Sequence, residues 1–141
     1  MDRLFAFLKN FSFEKLLPDL DGYMSTLKTI CILLVLVGPL VVLVLGILYK
    51  KRPPKDMDSR WGFSNILTRK DPEIWDAAHA LTGKIWTIMG AALLAGAVIC
   101  SILFIWMDVS KAVTVAIWAI GVELVAILAS WFVIMFRLRK V

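Results

Sequence analysis

"TICILLVLVGPLVVLVLGILY", Thr29 to Tyr49, decides the fold. It is 21 residues without a charge, close to the roughly 20 that a helix needs to cross the hydrocarbon of a bilayer. Two more runs of this kind follow. Ile85 to Met107 is uncharged, and Ala112 to Phe136 carries one acid, Glu123. Only "DVSK" separates those two, so they are expected to form a tight antiparallel hairpin. The chain is 60% apolar, above the roughly 45–50% of soluble domains, and its apolar residues gather in runs rather than dispersing. The expected fold is an all-α integral membrane protein with three transmembrane helices. Residues 1–28 form an N-terminal tail, and 29–141 form the membrane domain with a basic loop over 50–84.

Charge gives the direction. Of the 16 Lys and Arg residues, eight lie in the loop and three at the C-terminus, which share one side of a three-span protein. Four lie in the tail and one, Lys111, in the hairpin. The positive-inside rule places the richer side in the cytoplasm, giving an N-out, C-in protein of the cell membrane. The tail bases are balanced by Asp2, Glu14, Asp19 and Asp21, and the tail lacks the features of a cleaved signal peptide. Leu4, Phe5, Phe7, Leu8 and Phe11 recur at helical spacing. They suit an interfacial amphipathic helix, with a frayed terminus as the plainer alternative. Pro18 and Gly22 are expected to break it from the first span. Basic residues beside apolar runs are explained by topology and anionic headgroups, so no nucleic-acid partner is expected. Cys31 and Cys100 stand alone in apolar runs, with no metal or disulfide spacing. No cofactor is expected.

Before the second span lies "DPEIWDAAHALTGKIW", Asp71 to Trp86, with the only histidine of the chain. Asp71 is a suitable N-cap, Pro72 suits the first helical position, and Glu73 suits the positive end of the helix dipole. The helix is therefore expected to start here and run into the span. About 14 residues precede Ile85, roughly 20 Å of helix. Trp75, His79, Thr82 and Trp86 share one face, with Gly83, Gly90, Ala97 and Ser101 beside it, a stripe of small residues that admits a neighbouring helix. His79 is either a pH-sensitive or ligand-binding group, or a hydrogen-bonded histidine fixing the helix against the loop. Trp75 and Trp86 are simplest as interfacial anchors.

Glu123 sits near the middle of the third span, where a charge costs about 2.5–3.5 kcal/mol on insertion scales. Ala112, Ala116, Ala119, Ala126 and Ser130 share its face, a packing stripe. It reads either as a proton or ligand site or as a polar clamp between helices. The carbonyl of Val35, freed by Pro39, and Ser101 are the expected partners. By helix rise, His79 is about 28 Å away and is not one.

"RPPKDMDSRWGFSNILTRKDPEIWDAAHALTGKIWTIMGAALL" resembles the loop and following helix of the SdpI-type membrane proteins, a family named for immunity to a secreted sporulation-delaying peptide toxin. Trp61-Gly62-Phe63 match the family's aromatic-Gly-aromatic step. Glu73, Trp75, His79, Gly83 and Lys84 match its second step at the same spacing. The resemblance covers roughly Leu40 to Ile105. Ser64-Asn65 stand where the family has Arg-Thr, and Ser cannot anchor a carboxylate or phosphate as a guanidinium does; Arg60 or Arg69 is the expected substitute. Longer immunity members carry further spans before this module, so the resemblance implies the module more strongly than immunity.

The reading that follows is a non-enzymatic SdpI-like membrane protein, protecting against a peptide toxin or signalling, with the bilayer and a peptide or membrane-protein partner as its ligands and homo-oligomerisation open. The alternative is a small accessory subunit of a larger membrane complex. A lipid-active enzyme using Asp76 and His79 ranks low, because no nucleophile, phosphate loop or zinc spacing accompanies them.

Overall fold

The structure is a computed structural model and describes residues 20–140. Three helices follow one another: α1 (Leu20–Lys51), α2 (Pro72–Trp106) and α3 (Val109–Leu138). All three are long and apolar enough to cross a membrane. At 1.5 Å per residue they measure about 45–52 Å, well beyond a hydrocarbon core of about 30 Å. The apolar spans are thus the middles of longer helices. The outward faces remain apolar, with Ile88, Ile105, Trp118, Val125 and Phe132 all exposed. In water such a surface would aggregate; in lipid it is solvated. The chain is an all-α membrane protein.

α1 begins at Leu20 and contains Gly22, so the expected break at Gly22 does not occur. A glycine in the first turn weakens a helix by only about 1 kcal/mol. The carbonyl of Gly22 also accepts the Thr26 hydroxyl at 2.8 Å. Pro18 and the apolar cluster at 4–11 lie outside the described residues. Pro39 lies inside α1 and is buried.

α2 starts as the sequence predicts. Asp71 is the N-cap and its carboxylate accepts the Glu73 N–H at 2.9 Å, with Pro72 at the first position. The helix then continues for 35 residues. The hairpin is tighter than "DVSK" suggests: only Met107 and Asp108 lie between the helices, because Val109 already starts α3.

Glycine sets how the helices approach. A Cβ on Gly90 would lie 2.6 Å from the backbone N of Leu43, and one on Gly83 would lie 2.8 Å from that of Lys50. From the other side, a Cβ on Gly46 would lie 2.5 Å from the backbone N of Thr87. Backbone cannot yield as a side-chain tip can, so α1 and α2 meet this closely only because these positions lack side chains. The stripe predicted along Gly83, Gly90 and Ala97 is therefore taken up within the chain, facing α1. The α3 stripe also faces inward: Ala112 and Ala116 pack with Cys31 and Val35 of α1 and with Ala97 and Phe104 of α2.

A second cluster closes the opposite end. Tyr49, Phe63, Ala78, Ile134 and Leu138 come together there, joining the end of α1, the loop, the start of α2 and the end of α3. The loop and the C-terminus thus share one end of the bundle, as three successive spans require.

Candidate functional site

The segment from 52 to 71 leaves the helices, so its backbone N–H and C=O groups need other partners. The helix ends supply them. The Trp75 indole donates to the carbonyl of Pro54 at 2.7 Å. The Tyr49 hydroxyl donates to the carbonyl of Trp61 at 2.6 Å. His79 Nε2 accepts the Phe63 N–H at 2.8 Å, while Nδ1 lies 2.7 Å from the carbonyl of Trp75. An acceptor at Nε2 and a donor at Nδ1 describe a neutral imidazole. Both ring nitrogens are engaged and the ring is fully buried, so His79 fixes the loop to α2 rather than presenting a free nitrogen.

Aromatic rings pack around these bonds. His79 lies edge-on to Tyr49 at 5.1 Å and tilted against Trp75 at 4.4 Å. Trp61 stacks on Tyr49 at 6.0 Å, and Phe63 meets Trp86 edge-on at 6.2 Å. Gly62 makes the close approach: a Cβ there would lie 2.6 Å from the Trp75 ring. Trp86 is more than an interfacial anchor, since its indole donates to the Ser130 hydroxyl of α3 at 3.0 Å. Thr82, on the same predicted face, is buried, and its hydroxyl has no partner among the described residues.

Ser64-Asn65 leave no gap in this lobe. The Asn65 carboxamide oxygen accepts the N–H groups of Leu67 and Thr68, at 2.9 and 3.0 Å, closing a turn. Its amide donates to Met135 Sδ of α3 at 2.8 Å. The Arg69 guanidinium donates to the Ser64 hydroxyl at 3.0 Å, which brings that arginine beside the position. Nothing in the sequence pointed to Tyr49 and Thr68 as parts of the lobe, and Asn65 stood out only as a departure from the family's motif. Their bonds join residues of different elements or close a turn, and neither helical periodicity nor motif spacing registers such pairs.

The predicted site residues divide by exposure. Phe63, Trp75, His79 and Gly83 are buried and Gly62 is half-buried, whereas Trp61, Glu73 and Lys84 are exposed. Glu123 is separate. It is buried, with Oε2 against Gly38 of α1, where a Cβ would overlap it. Neither expected partner is engaged: Ser101 donates to the carbonyl of Ala97 at 2.8 Å, and no hydrogen bond from Glu123 to Val35 is formed among the described residues. The bare backbone at Gly38 lets the carboxyl lie directly on α1, displacing it from both. Among the described residues no group of His, Cys, Asp and Glu is placed to hold a metal ion.

A sequence model of the SdpI/YfhL protein family matches residues 56–136, 81 of the 141 residues. The match takes in most of the loop, α2 and most of α3. It runs well past Ile105, where the resemblance read from the motifs stopped, and does not include the end of α1. Comparison with curated proteins and with solved structures gave no match.

Proposed function

The chain belongs to the SdpI/YfhL protein family, and on that premise we propose that it is a non-enzymatic, multi-pass protein of the cell membrane that protects against a membrane-active peptide toxin. The observation carrying this reading is the convergence of the family's motif residues on one hydrogen-bonded aromatic lobe. Buried Phe63, Trp75 and His79 build it, and exposed Trp61 and Glu73 face a partner from it. In the N-out arrangement that lobe is the cytoplasmic contact surface. A non-enzymatic role suits a lobe whose histidine has both nitrogens occupied by backbone.

Sensitive cells expressing the protein, challenged with membrane-active peptide toxins, test it. Protection is expected from the native chain and is expected to fall in Trp61→Ala and Glu73→Gln at equal membrane level, since neither side chain holds the lobe together by a hydrogen bond. Absence of protection by the correctly inserted native chain would overturn immunity. The accessory-subunit reading would then stand, docking through the outward small residues Ala91, Ala92, Ala95 and Gly96 of α2, with a co-purifying membrane protein as its sign.

A further inference from the structure

Beside the lobe, between the end of α1 and the start of α2, lies an open cavity of 840 Å³. Its lining includes the apolar Met57 and Trp75 and three lysines, Lys50, Lys55 and Lys84. Backbone contacts already described bring these three positions together. The backbone of Lys50 abuts Gly83, the residue before Lys84. Lys55 follows Pro54, whose carbonyl is pinned by the Trp75 indole. Asp76 also lines the cavity. It forms no ion pair with the three amines, the one ion pair among the described residues being Lys111 with Asp108 at the far hairpin.

The position of the cavity identifies what fills it. Lys50 closes the uncharged run ending at Tyr49, and Lys84 precedes the uncharged run starting at Ile85. Both amines therefore lie where hydrocarbon gives way to headgroups, the level of lipid phosphate. Amines at that depth, one helical turn above the exposed apolar Ile47 and Ile88 on the same helix faces, match one amphiphile, a lipid with an anionic phosphodiester headgroup at the lysines and acyl chains running down the exposed face of the bundle. A soluble acidic peptide would match the charge but not the depth. We infer that the cavity between Lys50, Lys55 and Lys84 is a binding site for an anionic phospholipid. The site is independent of toxin protection and is tested without it.

The full chain, purified from bilayers containing equal phosphatidylglycerol and phosphatidylcholine, is examined by native mass spectrometry for retained lipid. The native protein is expected to retain phosphatidylglycerol selectively. Removing one lysine near the surface is worth roughly fivefold in anionic-lipid affinity, so Lys50→Gln with Lys55→Gln and Lys84→Gln is expected to abolish the selectivity. Arg137→Gln with Arg139→Gln and Lys140→Gln removes the same charge elsewhere on this end of the bundle and is expected to keep it. No selectivity in the native chain, or equal loss in both triple variants, would overturn the site. Displacement of the lipid by millimolar inorganic phosphate would overturn the lipid as its ligand, leaving a phosphate site, and displacement by an acidic peptide would assign it to a peptide.

Discussion

The two ends of the bundle close in different ways. At one end α2 turns into α3 through Met107 and Asp108 alone. Backbone does the work there: Met107 N–H bonds to the carbonyl of Leu103 at 3.1 Å, and Ala112 N–H to that of Asp108 at 2.9 Å. Asp108 makes no side-chain cap, and the partner of its carboxylate, Lys111 at 3.4 Å, is exposed as it is. At the other end α1 reaches α2 through the segment 52–71, whose backbone is met by buried Trp75 and His79 and by Tyr49. A two-residue connection leaves few backbone groups without helical partners, so hardly any side chain is committed to it. A long connection leaves many, and side chains must answer for them or water must enter. The chemically dense stretch at Asp71–Trp86 is the consequence.

That contrast can be broken most forcefully at Trp75. Trp75→Ala removes a buried indole and strands the Pro54 carbonyl, so it is expected to lower stability by about 3–5 kcal/mol. Thermal unfolding in detergent reads this, and a near-native midpoint would mean that the loop is held by something else. A smaller effect is expected from His79→Ala, which leaves the buried Phe63 N–H unpaired at a cost of about 1–3 kcal/mol. Its signature is local: hydrogen exchange at the Phe63 amide should accelerate while amides in the middle of α3 stay protected. Exchange rising uniformly would instead make His79 part of the global core. The smallest effect belongs to the hairpin. Lys111→Ala removes an exposed ion pair and should shift stability by less than about 0.5 kcal/mol. A loss comparable with that of His79→Ala would erase the difference between the two ends.

Glu123 shows a third way of placing a polar group, without the hydrogen bonds that hold the lobe. Its burial against Gly38, on the face shared with Ala112, Ala116 and Ser130, fits the packing stripe expected of that face. That it would meet another helix was legible, but the sequence offered both the first span, at Val35, and the second, at Ser101. Which atom it would meet was not legible, because the decisive feature is a missing Cβ rather than a present donor.

Much of the architecture is written in local terms. Uncharged runs of bilayer length determine three spans, and Asp71-Pro72-Glu73 determines where α2 starts, because caps act over one turn. That the small residues share one face follows from period 3.6, whereas their inward direction was decided by the packing of the three helices. The extent of α1 through Gly22 was decided by the rest of the helix, since a single glycine is a weak signal against a long apolar run. The roles of His79, Tyr49 and Asn65 were decided only in three dimensions. Each bonds to backbone or sulfur in another element, and a loop's orphaned N–H and C=O groups choose their partners by position, which residue order does not carry. The same holds for Lys50, Lys55 and Lys84: 34 positions separate the first from the last, and only the glycine seam between α1 and α2 brings them around one cavity.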